Sequence, residues 1–152
     1  MTQEESFGKW ISLLHREAQI TIGKQLREFG IGSGQHHVLM TLYRENGLIQ
    51  DEIARRVCVD KATIGRAIGK LEGKELVRRE QDSHDKRAHR VFLTENGRSL
   101  EIHVKKILMD WTGVLASGFS EKEHEKAVDI LKRMHRNALE HREEREGFCH
   151  GQ

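Results

Sequence analysis

The sequence contains no proline, only two cysteines and no long uninterrupted run of apolar residues. Because proline breaks helices, its absence favours long continuous helices. So few cysteines fit a reducing compartment better than a disulfide-stapled secreted protein. No apolar stretch reaches the roughly 20 residues of a membrane helix, and no signal peptide follows Met1. We therefore expect a soluble, cytoplasmic protein with no membrane partner.

Motifs for catalysis are also missing or incomplete. Residues 65–70 (GRAIGK) are one residue short of a P-loop and lie within a helical pattern rather than after a strand. His124 and Glu125 lack the second histidine of a zinc protease motif. No serine lies in a nucleophile elbow. These observations predict a protein that is not an enzyme and that needs no cofactor.

Residues 49–94 hold two short helical patterns on either side of a tight break. In both patterns, apolar residues recur at the helical period. Asp60 begins the second pattern, where its short carboxylate can accept hydrogen bonds from the free amides of the first turn. A helix, a short turn and a second capped helix make a helix-turn-helix. The apolar positions are Ile53, Ala54 and Val57 in the first pattern and Ile64, Ala67, Ile68 and Leu71 in the second.

The outward face of the second helix is small and basic and carries no acidic side chain. Small residues let a helix approach base edges closely. Arg66 has the reach and the fork geometry to read guanine, and the methyl groups of Ala62 and Thr63 can contact thymine. An ordinary solvated face is the alternative for this helix taken alone. The candidate DNA-binding residues on it are Lys61, Ala62, Thr63, Arg66 and Lys70.

Two short strand patterns follow, at residues 76–79 and 90–94, with a polar and basic segment between them. A hairpin with a charged tip directly after such a helix is a wing. Lys86 and Arg87 on this wing would bind phosphates or a neighbouring groove of duplex DNA and add salt-dependent affinity. Residues 49–98 contain twelve basic and nine acidic residues, so the positive excess lies where DNA would bind, although the whole chain has a net charge of only +2.

Long apolar stripes flank this motif. The first extends from Phe7 to Phe29, over roughly six turns, and others follow the wing. A capping box at Ser120 and Glu123 begins the last helix. Because the motif offers little surface for these stripes to cover, they predict dimerisation. The expected fold is mainly α with a small β-hairpin wing (α+β), a single winged helix-turn-helix protomer over residues 1–152 with dimerisation helices at 1–32 and 98–147 and a DNA-binding lobe at 33–97.

These features together resemble the MarR family of bacterial and archaeal transcription regulators, over nearly the whole chain. The resemblance implies a homodimer, acting as a repressor, whose two recognition helices enter major grooves about one helical turn, roughly 34 Å, apart on a pseudo-palindromic operator. The segments that carry it are Gln35–Leu39, Leu71–Val77, Asp85–Arg87 and Leu93–Gly97.

The sequence departs from the family pattern at two positions. Ile49 stands where the family usually has a capping threonine or serine, a change that costs about 1 kcal/mol of capping. Cys58 stands where the family usually has glycine in the turn, so the turn must accept a side chain. Neither change removes the basic face.

The resemblance also implies a small-molecule effector, commonly an aromatic carboxylate or a phenol, between the dimerisation and DNA-binding lobes. A cation would then pair with the carboxylate. The alternative places Trp10 in the dimer core and Arg79 on a phosphate. The candidate effector-binding residues are Trp10, His15, Arg16, His37 and Arg79.

Ten histidines raise the alternative of a metal-sensing regulator. Some similar regulators bind zinc near the positions of His36, His37 and His103, and they typically add a second histidine one helical turn after the last of these. Here that position is Ile107, so the pair that would supply two ligands is missing. We expect solvated or hydrogen-bonded histidines and no metal site.

A redox-sensing regulator is a further alternative. The reactive cysteine of such relatives lies in the first helix, which has none here. Cys58 is flanked by Arg55 and Arg56, which could lower its pKa, but we expect it to be buried as a small hydrophobe. The last alternative is a winged helix that docks onto proteins without binding DNA, and the acid-free basic face argues against it.

Overall fold

The computed structural model describes residue 2 and residues 5–149, with side chains up to residue 145. The chain divides into two compact units, one up to Thr112 and the other from Gly113. The fold is mainly helical with a small three-stranded antiparallel sheet, which confirms the predicted class. The helices are α1 (Phe7–Glu28), α2 (Gln35–Arg44), α3 (Gln50–Val57), α4 (Lys61–Gly73), α5 (Glu95–Ser99), α6 (Glu101–Leu115) and α7 (Glu121–Cys149), and the strands are β1 (Leu48–Ile49), β2 (Val77–Gln81) and β3 (His89–Leu93).

One hydrophobic core holds the first unit together and joins α1 to α4, the sheet and α6. The helical periodicity correctly predicts which side of α3 and α4 enters it, with Val57 and Ala67 at its margin. Side chains of this kind each contribute about 1.5–3 kcal/mol when they leave water. The largest fully buried side chains are Leu26, Ile31, Leu39, Leu42, Ile53, Ile64, Ile68, Leu71, Val38, Val77, Val91 and Val104.

The two helices of the motif differ in how their first turns are capped. Ile49 is the N-cap of α3 and makes no side-chain cap hydrogen bond. Asp60 caps α4, as expected, because its Oδ1 accepts from the Thr63 amide at 2.8 Å. The Thr63 hydroxyl also donates to Asp60 Oδ2 at 2.7 Å. The first turn of α4 is therefore closed by one acidic side chain.

The sheet contains a strand that the sequence did not reveal. β1 has only two residues, and it pairs antiparallel with β3 through Leu48 opposite Val91 and Ile49 opposite Arg90. The strand order is β1-β3-β2. Two residues are too few for an alternating pattern to be recognised, so only the tertiary pairing defines this strand.

After β3 the chain turns sharply at Gly97, in the short helix α5. The hydroxyl oxygen of Thr94 caps this helix by accepting from the Gly97 amide at 3.0 Å. A Cβ at Gly97 would collide with the carbonyl oxygen of Leu76. The Gly97 carbonyl in turn accepts from the hydroxyl of Tyr43 at 2.9 Å. This close approach needs glycine and ties α5 to α2.

The expectation that Cys58 is buried is wrong, since this residue is exposed. It lies at the end of α3 with φ 58° and ψ 39°, a left-handed conformation. There the Val59 amide donates to the Ala54 carbonyl at 3.1 Å, so the chain turns outward immediately after the helix. At this position the left-handed turn that ends the helix, rather than burial of the thiol, determines where the side chain lies.

No helix in the described part of the chain combines the length and the apolar character that crossing a membrane requires.

Replacing Cys58 with glycine should raise the free energy of unfolding by about 1 kcal/mol, because a Cβ is strained in the left-handed region and glycine is not. Equilibrium unfolding in urea measures the difference. Cys58→Ala is the matched control, since it removes the thiol and keeps the Cβ. A glycine variant no more stable than the alanine variant would show that the turn carries no such strain.

Candidate functional site

The outward side of α4 is opposite the buried Ile64, Ile68 and Leu71. Because these three side chains hold the helix against the core, the residues on its opposite side face away from the core. The candidate contact residues Lys61, Ala62, Thr63, Arg66 and Lys70 are all exposed. The structure therefore places them on one accessible surface, which we call the recognition face.

Hydrogen bonds order the recognition face before any ligand binds. The Thr63 hydroxyl donates to Asp60 Oδ2 and accepts from Arg66 Nη2 at 3.0 Å. Hydrogen bonds from the Thr63 hydroxyl, and then from its backbone amide, hold the pKa of the Asp60 carboxyl below its usual value. With its hydroxyl engaged, Thr63 has its methyl group left for an apolar contact.

One acidic residue near this face was missed by sequence reasoning. Asp51 of α3 reaches Lys61 of α4, and Lys61 Nζ lies 2.9 Å from Asp51 Oδ2. Both side chains are well exposed, so the pair is a weak one that solvent screens. The spacing of ten residues across a turn gave no signal in the sequence. Lys61 therefore has an ion-pair partner within the protein.

The wing is a hairpin of β2 and β3 in which Gln81 pairs with His89 at the open end. Its loop is organised by Asp82, a residue only 5% exposed. Asp82 Oδ2 accepts from the amides of His84 and Asp85 at 3.2 and 3.0 Å. Its Oδ1 accepts from Arg90 Nε at 2.6 Å. A single buried carboxylate thus sets the shape of the loop.

Arg90 joins the wing to the rest of the sheet. Its Nη1 donates to the Gly47 carbonyl at 2.8 Å, immediately before β1. The hydrogen bond from Arg90, followed by bonds from the loop amides, keeps the pKa of Asp82 below its usual value. This carboxylate is therefore charged at neutral pH. Neither Asp82 nor Arg90 was singled out from the sequence, because their eight-residue separation shows a pair only once the hairpin is folded.

Lys86 and Arg87 lie at the exposed tip of the wing. The Lys86 carbonyl accepts from Gln81 Nε2 at 2.7 Å, and the Arg87 amide donates to Asp85 Oδ1 at 2.9 Å. Among the residues that the structure describes, neither cationic side chain has an ion-pair partner. Hydrogen bonds hold the backbone of both residues, and their charged groups remain accessible to an anion outside the protein.

Arg79 lies between the wing and α4. Its Nη2 donates to the carbonyl of Gly65 at 2.9 Å, and its backbone amide donates to Glu72 Oε2 at 3.2 Å. Its Nε is buried without a hydrogen bond. A Cβ at Gly69 would lie 3.3 Å from Arg79 Nη2, so the missing side chain gives the guanidinium room. Arg79 therefore fastens β2 to the recognition helix.

A cavity of about 330 Å³ lies among α1, the start of α2 and α6. His15 and His37, two of the candidate effector-binding residues, line it. Trp10, Arg16 and Arg79 are not among its lining residues. The full lining is His15, Ala18, Gln19, Ile22, Gly23, Leu26, Gly32, Ser33, Gly34, His36, His37, Leu108, Trp111 and Thr112.

Two of the histidines at this cavity, His36 and His37, have lowered pKa values. The rings of His36 and His37 lie with their centroids 3.9 Å apart. Burial, and next the charge of His37, lowers the pKa of His36 from 6.5 to about 4. Burial, and next His15, lowers the pKa of His37 as well. At neutral pH the rings of His36 and His37 are therefore uncharged.

The metal candidates do not form a site in the described part of the chain. There, no group of three or more histidine, cysteine, aspartate or glutamate side chains is arranged to hold a metal ion. His103 stacks instead on the ring of Phe29, with the centroids 4.9 Å apart. These residues therefore do not fit a resident zinc ion, which needs at least three protein ligands.

Comparison with known proteins agrees with this geometry. The MarR family profile matches residues 31–89, from the loop after α1 to the first residue of β3. The crystal structure of a MarR transcriptional regulator from Methanosarcina mazei Go1 is 44% identical, covers 88% of this chain and 96% of its own, and superposes with a TM-score of 0.81. The fold and the recognition face thus define a winged helix-turn-helix DNA-binding protein. The chain belongs to the MarR family of transcriptional regulators.

Two further relatives support this assignment. An uncharacterized HTH-type transcriptional regulator of Bacillus subtilis (strain 168), YybA, is 28% identical over 127 residues, which cover 84% of this chain and 85% of YybA. The Staphylococcus aureus MepR–DNA complex contains a chain that is 26% identical, with coverage of 90% and 99% and a TM-score of 0.79. The family and these relatives are transcriptional regulators rather than enzymes, as the sequence predicts.

Replacing Asp82 with alanine should free the wing loop, because two loop amides and Arg90 lose their shared acceptor. We expect the amides of His84 and Asp85 to exchange with solvent at least roughly ten-fold faster, since hydrogen bonds to a carboxylate are strong ones. Native-state hydrogen exchange measures this. Glu80→Gln is the control, because Glu80 makes only an exposed pair with Arg78. Unchanged exchange in Asp82→Ala would show that the strand pairing alone shapes the loop.

His36 should make the protein less stable in acid. Its pKa is about 4 in the folded state and about 6.5 in the unfolded chain, so the unfolded chain binds more protons between these values. The free energy of unfolding therefore falls as the pH drops from about 6.5 to about 4, by at most about 3 kcal/mol from this residue.

Urea titrations at several pH values test this assignment. The variant His36→Phe should lose much of the acid sensitivity, while His84→Gln on the exposed wing loop should keep it. Equal acid sensitivity in His36→Phe and the unchanged protein would assign the effect to other groups.

Proposed function

We propose that this regulator is a homodimeric repressor that binds a pseudo-palindromic operator and leaves it when a small molecule binds. The observation that carries the proposal is the recognition face, an exposed and basic surface on a helix whose opposite side is fixed in the core. In this arrangement residues 33–97 form the DNA-binding lobe, and residues 1–32 and 98–147 form the dimer. Because its target is DNA, we place the protein in the cytoplasm.

Exposed apolar side chains support dimerisation. On α1, Phe7, Trp10 and Leu14 are 63%, 54% and 48% exposed, and they lie at the spacing of one helix face. In the second unit, Ile130 and Leu131 of α7 are exposed as well. Large apolar side chains clustered on a surface mark interaction sites. A second copy of the chain would cover these faces and hold two recognition helices about 34 Å apart.

The proposed contacts with DNA are of two kinds, those that recognise bases and those that bind the phosphate backbone or a neighbouring groove. Arg66 would read guanine, and the methyl groups of Ala62 and Thr63 would contact thymine in the major groove. Lys61 and Lys70 lie at the two ends of the recognition face, where phosphates approach. At the wing, Lys86 and Arg87 would bind the backbone or the neighbouring groove.

The cavity is the proposed site of an effector of the aromatic acid or phenol type. It lies beside the loop between α1 and α2, since Gly32, Ser33 and Gly34 line it. In the same loop the carbonyl of Gly30 accepts from Lys74 Nζ, directly after α4. A ligand that moves this loop would therefore move the recognition helix, and it would favour a spacing that no longer fits the operator.

A selection from random duplex DNA tests the proposal. We expect a palindromic winner bound at least about 10³-fold more tightly than scrambled DNA. The variant Arg66→Ala should lose about 1–3 kcal/mol at one base position of each half-site. Arg87→Ala should instead weaken binding to all sequences and lower the salt dependence by about one counterion per protomer. Lys122→Ala on α7 is the control and should change neither.

Two outcomes would contradict the proposal. If no sequence wins and binding only fades with salt, the chain is a non-specific binder or a docking module. If Arg66→Ala keeps the base preference of the unchanged protein, Arg66 is not a reading residue.

A further inference from the structure

Lys61, a cation of the recognition face, is already paired within the protein. It is the first residue of α4, and its Nζ lies 2.9 Å from Oδ2 of Asp51 in α3. The contact joins the two helices of the motif across the turn between them. Because both side chains are well exposed, an anion from outside can reach Lys61, but only in competition with Asp51.

The neighbouring acidic side chains of the motif serve their own helices. Asp60 accepts from the amide and the hydroxyl of Thr63 in the first turn of α4. Glu52 accepts from two arginines of its own helix, α3. Asp51 differs from both, because its carboxylate crosses from α3 to the recognition helix. It therefore neutralises a cation that we assign to DNA binding.

Binding of Lys61 to a phosphate exchanges one anion for another. The ion pair opens, and Asp51 is left unpaired beside the negatively charged backbone, where Coulomb repulsion opposes binding. The freed carboxylate also attracts a cation from solution, which offsets one of the counterions that DNA releases. Because phosphates carry no sequence information, the loss of affinity is the same for every base sequence.

We propose that Asp51 is an affinity-setting residue, whose carboxylate holds Lys61 in the free protein and so weakens the binding of every duplex alike. The proposal rests on the proposed function only in taking the recognition face as the surface that binds DNA. Asp51 also lies in the first turn of α3, where an acid stabilises a helix. That role alone predicts no gain in DNA affinity when the charge is removed, so the direction of the change separates the two roles.

Fluorescence anisotropy of a labelled scrambled duplex tests the proposal on the full-length protein, at salt concentrations from about 50 to 200 mM. Asp51→Asn keeps the shape of the side chain and should bind at least roughly three-fold more tightly at the lowest salt. Its salt dependence should be steeper by about one counterion per protomer, so the gain shrinks as salt is added. Asp51→Ser, which is equally uncharged, should behave in the same way.

Asp110→Asn is the matched control, because it removes the same charge from a similar pair on α6. There Lys106 Nζ lies 2.6 Å from Asp110 Oδ2, and both side chains are exposed. This variant should bind DNA as the unchanged protein does. Equal affinities for Asp51→Asn and Asp110→Asn overturn the proposal, as does weaker binding by both Asp51 variants.

A double-mutant cycle shows whether Asp51 acts through Lys61. Lys61→Met should weaken binding more when Asp51 is replaced by asparagine than when Asp51 is present, because only the free lysine gains a phosphate without losing a partner. The gain from Asp51→Asn should therefore be mostly lost in the double variant. A gain that persists in full without Lys61 is a general charge effect and overturns the proposal.

The scrambled duplex separates this proposal from the proposed function. A protein that selects a palindromic operator but gains nothing from Asp51→Asn contradicts only the role of Asp51. A protein that gains affinity from Asp51→Asn but selects no DNA sequence contradicts the proposed operator and leaves the role of Asp51 standing. A protein that binds no duplex at any of these salt concentrations contradicts both.

Discussion

Burial of one side of α4 is the constraint on which the rest of this structure depends. Ile64, Ile68 and Leu71 lie almost wholly in the core, so the helix cannot rotate without exposing them at a cost of about 1.5–3 kcal/mol each. With that rotation blocked, the opposite side is fixed as an exposed and basic surface. The Asp60 cap then determines where the helix begins, and therefore which residues occupy its first turn.

The wing depends on α4 and in turn supports it. Arg79 fastens β2 to the backbone of the helix at Gly65, and Arg90 fastens the loop carboxylate of Asp82 to the chain before β1. Both arginines use their charge inside the protein. Lys86 and Arg87, at the exposed tip, have no such internal partner among the described residues. Basic residues of the same segment thus divide between holding the wing in place and presenting charge to solvent.

The loop that lines the cavity is also bonded to the end of α4. Gln35, only 3% exposed, accepts from the Gly32 amide at 2.9 Å and so holds the loop that lines the cavity. Lys74 holds the same loop from the end of α4 through Gly30. The loop beside the cavity is thus held by one hydrogen bond to Gln35 at the start of α2 and by one from Lys74 at the end of α4.

The sequence by itself determined the long helices, the motif, the Asp60 cap, the capping box at Ser120 and Glu123 and the class of protein, because periodicity and capping act between residues a few positions apart. It also indicated which side of α4 is buried. Only the tertiary structure decided the two-residue strand β1, the exposure of Cys58, the pairing of Asp82 with Arg90, the contacts of Arg79 and the lining of the cavity. Each of these depends on residues that are distant in sequence and meet only when the core closes. The candidate effector residues show the difference. His15 and His37 line the cavity, whereas Arg79 donates to the carbonyl of Gly65 in α4. No local sequence pattern predicts that contact.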